Sequence, residues 1–386
     1  MSSSSTLFQP ITVGASHLSH RIVLAPMTRC RSSQKTHVPS HLMETFYAQR
    51  TRVPGTLAIA EATLISKRAG GMDNTPGIWS EEQISAWRKV TDAAHANGSY
   101  IYLQLWALGR AAKPHITRED GIDYVAPSPI PLPHPTQEID AIPRELTVPE
   151  IKSYINDYAQ AAKNAVYRAG FDGVEVHAAN GYLIDQFLQD VSNQRTDEYG
   201  GCVANRSRFG LEVVDAVVKA VGADRTGVRL IPWNNFSTIK MSDPVPQFSH
   251  FVGELAQSRP DLAYLHVLDS NSPLESIDFL RKIWAPRPFI SCGGYTRESA
   301  IARANESGNL IAFGRWFASN PDLPIRILRN IPFSPFDPST FYGPAGHVPG
   351  SERGYVDYKS AEEESTTSGE ALLSFSKLSR IIEAHV

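Results

Sequence analysis

Eight short apolar runs recur along the chain, each bounded by turn residues and separated by enough residues to hold a helix. They lie at residues 22–25, 56–60, 100–105, 174–177, 227–231, 263–267, 288–291 and 310–313. Runs of this length and composition predict buried β-strands. Strands that alternate with helices pair in parallel through right-handed crossovers, and closure of eight strands removes both sheet edges. The pattern therefore predicts an α/β fold, a single-domain (β/α)8 TIM barrel, with a doubly wound open sheet as the alternative.

Two of the intervening segments carry helix signals at both ends. Residues 80–83 (SEEQ) and 147–150 (TVPE) have the spacing of a capping box, and apolar residues then recur every three or four positions. Gly98 and Gly170 stand where a left-handed C-terminal cap is expected, shortly before the next strand. These segments predict the helix–strand units of a barrel.

Two other stretches fall outside this repeat. Residues 111–143 are rich in proline and predict a long ordered loop after the third strand, of a kind that often covers a barrel site. From residue 359 an acidic, Ser/Thr-rich run predicts a flexible spacer before a short amphipathic helix at 372–382. We expect the barrel to occupy residues 1–358 and a C-terminal tail to occupy residues 359–386.

The composition excludes several kinds of partner. Lys and Arg total 37 against 40 Asp and Glu, so no basic excess favours nucleic acid or an anionic membrane surface. No segment has the ~18 uninterrupted apolar residues of a membrane span, and the Ser-rich start lacks the pattern of a secretory signal. Three isolated cysteines, Cys30, Cys202 and Cys292, fit a reducing compartment. We expect a cytoplasmic monomer or homodimer that acts on a small molecule.

The end of the predicted fourth strand carries three polar side chains close together in sequence: His177, Asn180 and Tyr182. Barrel active sites collect at the carboxyl ends of the strands. His177 and Asn180 can both donate hydrogen bonds to a carbonyl oxygen, and Tyr182 can deliver a proton to carbon. For a lone histidine or tyrosine, strand capping or core packing is the more common role. Their clustering at one strand end favours catalysis.

Glycine follows both of the last two predicted strands. Gly293 and Gly294 come after the seventh strand, and Gly314 and Arg315 come after the eighth. These two loops commonly bind phosphate in barrels, because glycine lets backbone N–H groups approach the anion and arginine adds a charge-assisted hydrogen bond. The two loops together predict a phosphate site.

Arg229 places a cation inside the predicted fifth strand. Such a charge is costly in a barrel unless it meets an anion or an electron-rich acceptor. A bound cofactor is one such partner, and a salt bridge to Glu175 or Glu61 is an equal alternative.

Three chemistries lack the residues they need. The seventh strand ends in Cys292 and Gly293 with no acid, which disfavours a retaining glycosidase. His177 and His266 lack an H-x-H or H-E-x-x-H companion, so no metal is expected. The G-x-G-x-x-G fingerprint is missing, so a dinucleotide need not be permanently bound.

Longer stretches of the sequence resemble the Old Yellow Enzyme family of FMN-dependent ene-reductases, in its yeast and fungal branch. The resemblance rests on RIVLAPMT (21–28), FYAQR (46–50), PGIW (76–79), QLW (104–106), residues 171–208, GR (314–315) and GYVDY (354–358). Its most specific part is HAANGYL (177–183) with SNQRTDEYGG (192–201). The resemblance implies a barrel that holds FMN, with NADPH as reductant.

The same resemblance assigns residues to the site. Around the isoalloxazine ring it places Pro26, Met27, Thr28, Ala62, Gln104 and Arg229. The FMN phosphate falls to Gly293, Gly294, Gly314 and Arg315. Lining the substrate cavity are Trp106, Tyr342 and Phe236. Arg229 is implied to stabilise the anionic reduced flavin, and Thr28 to hydrogen-bond the flavin C4 carbonyl.

The implied reaction reduces the C=C bond of an α,β-unsaturated carbonyl compound. Flavin N5 gives hydride to the β-carbon, the residues matching His177 and Asn180 hold the carbonyl oxygen, and the residue matching Tyr182 protonates the α-carbon. A pathway isomerase or cyclase without net reduction is the alternative, against which Tyr182 argues. A binding protein on a retired barrel would have lost part of the set formed by His177, Asn180, Tyr182 and Arg229.

The fifth loop departs from the family pattern. Ile231 stands where the family usually has serine, and residues 233–235 (WNN) replace the usual Tyr-Gly type of turn. Some fungal relatives serve alkaloid or polyketide pathways, which suggests a secondary-metabolite tailoring role. The departures leave the substrate open.

Overall fold

The computed structural model describes residues 5–132, 141–233, 240–269, 276–344, 346 and 348–368. In chain order its strands are β1 (Ile11–Val13), β2 (Ser16–Leu18), β3 (Ile22–Leu24), β4 (Leu57–Leu64), β5 (Tyr100–Trp106), β6 (Val125–Ala126), β7 (Arg144–Glu145), β8 (Gly173–Ala178), β9 (Thr226–Leu230), β10 (Tyr264–Leu268), β11 (Phe289–Cys292) and β12 (Leu310–Phe313). Eight of them close into a barrel in the order β10-β11-β12-β3-β4-β5-β8-β9, with every neighbouring pair parallel. The predicted single-domain (β/α)8 barrel is confirmed.

Helices fill the crossovers between the barrel strands. They are α1 (His41–Arg50), α2 (Glu81–Ala96), α3 (Pro114–Asp120), α4 (Val148–Lys163), α5 (Leu183–Leu188), α6 (Val203–Val221), α7 (Val245–Ser258), α8 (Asp278–Trp284), α9 (Arg297–Ser307), α10 (Arg315–Ser319), α11 (Leu323–Arg329) and α12 (Ala361–Ser368). Both predicted capping boxes are present and begin α2 and α4. Gly98 and Gly170 take φ values of +67° and +81°, as their cap positions require.

Two tyrosine side chains pack among aliphatic residues in the amino-terminal half of the barrel interior. Tyr102 and Tyr264 are fully buried and face Gly173 and Gly227 on the neighbouring strands. A Cβ atom on Gly173 would lie 2.4 Å from the Tyr102 ring, and one on Gly227 would lie 2.3 Å from the Tyr264 ring. The glycines therefore make room for the tyrosines, which close the barrel below the strand ends that carry the predicted site.

The two stretches outside the strand–helix repeat differ from their predictions. Within 111–143, the described residues form α3 and β6, the latter paired with β7, instead of one extended loop. Residues 361–368 form α12, so the flexible spacer expected there is wrong. Its Glu364 accepts a hydrogen bond from the buried Arg326 at 2.7 Å, and the backbone N–H of Ala361 donates to Asp322. The amphipathic helix expected at 372–382 lies outside the described residues.

The described residues within 337–358, here called the C-terminal strap, follow the last barrel strand and pack against the residues after β3. Arg29 donates to the carbonyl oxygens of Phe341 and Gly354 at 3.1 and 2.8 Å. Arg31 donates to the carbonyl oxygens of Thr340 and Ser351, both at 3.1 Å. Two arginines near the carboxyl end of β3 therefore hold the strap.

A third arginine holds the strap from α1. Arg50 donates to the carbonyl oxygen of Tyr355 at 2.9 Å and also hydrogen-bonds the carbonyl oxygen of Ala318. Its guanidinium lies 4.0 Å from the centre of the Phe46 ring, which stacks on Tyr355 at 4.5 Å. Burial lowers the pKa of Arg50 to about 9, which reflects how little water reaches this clamp.

None of the helices in the described ranges is long and apolar enough to cross a membrane.

We expect Arg50→Ala to destabilise the protein by about 2–4 kcal/mol, because it leaves buried carbonyl oxygens without a charged donor. Urea unfolding would measure the free energy, and limited proteolysis would show faster cleavage within 337–358. The matched control is Arg52→Ala, since the Arg52 side chain is 32% exposed and lies 3.8 Å from a surface glutamate, Glu363. This control should cost less than about 1 kcal/mol. Equal losses in both variants would contradict the clamp.

Candidate active site

The three predicted catalytic residues converge at the carboxyl end of β8. His177 is 2% exposed and is the second-last residue of the strand. Asn180 and Gly181 take positive φ values of 59° and 75°, which turn the chain sharply back before α5. The turn brings the Tyr182 ring to 5.1 Å from the His177 ring and 4.8 Å from the Trp106 ring, edge to face in both cases. An Asn-Gly pair therefore makes a compact polar site possible here.

Buried polar side chains of α5 hold this turn in place. Asp185 accepts a hydrogen bond from the backbone N–H of Gly181 at 2.8 Å. Gln186 donates to the carbonyl oxygens of Gly181 and Leu108 at 2.7 and 2.9 Å. Neither residue was predicted from the sequence. The signal was there, because Asp185 and Gln186 are the two polar residues of an otherwise apolar short helix, and buried polar side chains need hydrogen-bond partners.

Burial sets the protonation of the site. Desolvation is the main cause that lowers the pKa of the His177 imidazole well below its usual value, and the neighbouring Arg229 and His266 act in the same direction. Desolvation also raises the pKa of the Tyr182 phenol, with smaller contributions from Tyr342 and Cys30 and an opposing one from Arg229. At neutral pH His177 is therefore a neutral imidazole, and Tyr182 keeps its proton.

A polar layer lies just below His177, inside the barrel. Glu175 accepts hydrogen bonds from Gln104 Nε2 at 2.7 Å and from His266 Nδ1 at 2.8 Å. Arg229 pairs in register with both His177 and His266. All five side chains lie in the interior and are at least nine-tenths buried.

Arg229 forms no ion pair with a carboxylate in the described part of the chain. Its one described hydrogen bond is a long one, 3.5 Å, to the carbonyl oxygen of Pro26, and its Nε has no partner among the described residues. Of the two carboxylates considered as salt-bridge partners, Glu175 contacts His266, and Glu61 accepts from the backbone N–H of Arg29 at 3.2 Å. The structure therefore favours the cofactor alternative, because a buried guanidinium that no described carboxylate contacts directly fits an electron-rich ligand.

The remaining residues that are expected to contact the flavin ring belong to two neighbouring strands, β3 and β4. Pro26, Met27 and Thr28 follow β3, and Ala62 is a buried residue of β4 next to Glu61. Burial raises the pKa of the Glu61 carboxyl to about 7, against the lowering effect of Arg29. Glu61 was not predicted as a site residue from the sequence. Its contact with the Arg29 backbone fixes the loop that carries Thr28.

The two glycine loops lie side by side because β11 and β12 are neighbours in the barrel. Gly293 and Gly294 take φ values of 146° and 66°, and a Cβ atom on Gly293 would lie 2.2 Å from a backbone oxygen. A Cβ atom on Gly314 would lie 2.7 Å from the sulfur of Met27. Arg315, the first residue of α10, is exposed beside them. Two neighbouring glycine loops beside an exposed guanidinium fit a phosphate.

The predicted substrate-cavity residues have three different outcomes. Trp106 is fully buried, and its indole N–H has no partner among the described residues. Tyr342 lies on the strap and is 70% exposed. Phe236 lies outside the described residues. In the altered fifth loop, Ile231 is buried and Trp233 donates to the carbonyl oxygen of Ser276 at 3.1 Å.

Known proteins are similar to this chain in sequence and in fold. The model of the NADH:flavin oxidoreductase / NADH oxidase family matches residues 6–333. The Old Yellow Enzyme structure from Pichia sp. AKU4542 superposes with a TM-score of 0.87 at 37% identity, covering 94% of this chain and 95% of that one. The chain belongs to the Old Yellow Enzyme family. It is an oxidoreductase of the FMN flavoprotein type.

Curated fungal relatives match over nearly their whole length. A chanoclavine-I aldehyde reductase, fgaOx3 of Penicillium roqueforti, is 50% identical over 92% of this chain and 97% of its own. A probable inactive reductase, easA of Epichloe festucae var. lolii, is 45% identical over 94% and 97%. An NADP-dependent oxidoreductase, lnbE of Aspergillus flavus, is 45% identical over 93% and 97%.

The donor pair at the end of β8 predicts that FMN-loaded enzyme binds phenols. A para-alkyl phenol should give a long-wavelength absorption band, and the double variant His177→Ala/Asn180→Ala should lose the band and at least tenfold in affinity. Between pH 6 and 8 the dissociation constant should stay within about twofold, because neither His177 nor a phenol of pKa about 10 titrates there. The control His95→Ala, at a half-exposed histidine outside the barrel, should bind normally. Persistence of the band in the double variant would refute the assignment.

Proposed function

We propose that this protein uses NADPH to reduce the C=C bond of an α,β-unsaturated carbonyl compound. The observation that carries the proposal is the arrangement of His177, Asn180 and Tyr182 at one strand end, where the ring centres of Tyr182 and His177 are 5.1 Å apart. Ene reduction needs hydrogen-bond donors for a carbonyl oxygen and a proton donor for carbon. Membership of the family supplies the redox cofactor.

The residues present fit FMN. The ring would lie against Pro26, Met27, Thr28, Ala62, Gln104 and Arg229, and its phosphate against Gly293, Gly294, Gly314 and Arg315. Two observations support this placement: Nε of Arg229 has no partner among the described residues, and the two glycine loops lie side by side with the exposed Arg315. When bound, FMN supplies the hydride that reaches the β-carbon of the substrate.

The protein's own residues do the rest of the chemistry. His177 and Asn180 donate hydrogen bonds to the carbonyl oxygen, which draws electrons from the double bond and makes the β-carbon electrophilic. Tyr182 then gives its proton to the α-carbon. One hydride and one proton are added, so the C=C bond becomes a single bond and the carbonyl group is regenerated.

The relatives support the reductant and the substrate class. One relative is named an NADP-dependent oxidoreductase, which favours NADPH. The relative at 50% identity is named for an aldehyde, chanoclavine-I aldehyde. We therefore place a conjugated aldehyde or ketone of a fungal secondary metabolite first among substrates. Product formed with less than one NADPH consumed per molecule would instead identify an isomerase or cyclase.

Arg315→Ala should weaken FMN binding by at least tenfold, since it removes a charge-assisted hydrogen bond to the phosphate. Its affinity for riboflavin, which lacks the phosphate, should stay unchanged, and flavin fluorescence titration would measure both. Arg225→Ala is the matched control, because Arg225 precedes β9 at the opposite end of the barrel and should not affect either ligand. Equal losses for FMN and riboflavin, or a protein that never takes up FMN, would refute the phosphate site.

Tyr182→Phe should slow the oxidative half-reaction with 2-cyclohexenone by about 10²-fold or more, the usual effect of losing a general acid. The reductive half-reaction with NADPH needs no such proton and should stay within a few-fold of wild type. Stopped-flow absorbance separates the two steps. Tyr158→Phe, at a buried phenol on α4 without a described partner, is the control for loss of a hydroxyl group. Enone reduction at the wild-type rate in Tyr182→Phe would assign the proton to another donor.

A further inference from the structure

Glu175 is a buried carboxylate for which the proposed reaction has no direct use. It lies inside the barrel, fully buried, two residues before His177 on the same face of β8. A charge in this position is costly, and an apolar side chain of similar size would pack there with less penalty. The contacts of Glu175 should therefore show why a carboxylate occupies this position.

The contacts of Glu175 fix the orientation of two neighbours. A carboxylate only accepts hydrogen bonds, so Gln104 must turn its amide nitrogen toward Glu175, at 2.7 Å, and its carbonyl oxygen away. By the same logic His266 carries its proton on Nδ1, which donates to Glu175 at 2.8 Å. Nε2 of His266 is then an acceptor, and it has no partner in the described residues.

The accepting atom of His266, Nε2, and the donating atom of Arg229, Nε, lie on neighbouring strands. His266 on β10 lies directly opposite Arg229 on β9, and Nε of Arg229 is also buried without a described partner. Glu175 is hydrogen-bonded to His266, and His266 is the register neighbour of Arg229, so the three side chains form one polar cluster beside the proposed flavin site.

The charges of this group balance. Burial lowers the pKa of His266, with Arg229 acting in the same direction and Glu175 against it, so the imidazole is neutral. Burial alone would raise the pKa of Glu175, but His266, Arg229 and Gln104 outweigh it and hold the pKa below its usual value. One negative carboxylate therefore offsets one positive guanidinium.

We propose that Glu175 is a positioning residue of the flavin site: it orients Gln104, directs His266 toward Arg229, and offsets the charge that Arg229 presents to the flavin. The inference rests on the proposed placement of FMN beside Gln104 and Arg229. Its consequence is electrostatic. With Glu175 in place, Arg229 favours the anionic reduced flavin less than an isolated guanidinium would, so Glu175 lowers the reduction potential.

The ratio of the FMN dissociation constants in the oxidised and reduced states measures this effect. In Glu175→Gln, which removes the charge and keeps the shape, the ratio should shift about tenfold in favour of reduced FMN, equivalent to ~30 mV for two electrons. Arg229→Gln should shift it in the opposite direction. In the double variant the two effects should be non-additive, since Glu175 acts partly through Arg229.

Two further variants keep the test decisive if Glu175→Gln does not fold. His266→Leu removes the donor to Glu175 and should shift the ratio in the same direction as Glu175→Gln. His266→Gln supplies both a donor and an acceptor and should stay within about threefold of wild type. Asp322→Asn is the control, because it makes a carboxylate-to-amide change in a buried ion pair with Arg326, on α11 outside the barrel interior.

A ratio within twofold of wild type in Glu175→Gln, or in His266→Leu where only that variant folds, would overturn the inference. An equal shift in Asp322→Asn would also overturn it, because general destabilisation would then explain the result. If Arg229→Gln alone shifts the ratio, the flavin placement stands and only the role of Glu175 falls. A wild-type protein that binds no FMN would refute the proposed function itself.

Discussion

The site depends on the two-residue period of one strand, β8. Glu175 and His177 point into the barrel, while Val174 and Val176 are buried on the other face. The parallel register then sets His177 beside Arg229 on β9 and Glu175 beside Gln104 on β5. A slip of one residue would place two valines inside and both polar side chains among the helices. The packing of Val174 and Val176 against the helices therefore determines that Glu175 and His177 point into the barrel.

The polar layer has its properties because the barrel is closed beneath it. Tyr102 and Tyr264, packed over two glycines, fill the interior on the amino-terminal side. Little water reaches the groups above this layer, and a low dielectric disfavours every added charge. His177 consequently stays neutral and Tyr182 stays protonated, the two states that the proposed carbonyl activation and proton delivery need.

The sequence predicted those features that a local pattern determines. Short apolar runs and capping boxes have a fixed period, so all eight barrel strands were predicted within a few residues of their ends. The cluster at the end of β8 was visible because its members are near neighbours in sequence. The contact between Glu175 and His266 joins residues 91 apart and depends on the register of three strands, which no local pattern contains. The acidic run at 361–368 looked solvated because its partner, Arg326, is distant in sequence and buried.

The strap also changes what counts as the smallest unit that can fold on its own. The family match ends at residue 333, before the strap begins. Yet Arg29, Arg31 and Arg50 belong to the matched region and find their hydrogen-bond acceptors in the strap. A chain cut at the family boundary would remove buried carbonyl acceptors from three guanidiniums, one of them adjacent in sequence to Thr28. The autonomous folding unit is therefore longer than the region by which the family is recognised.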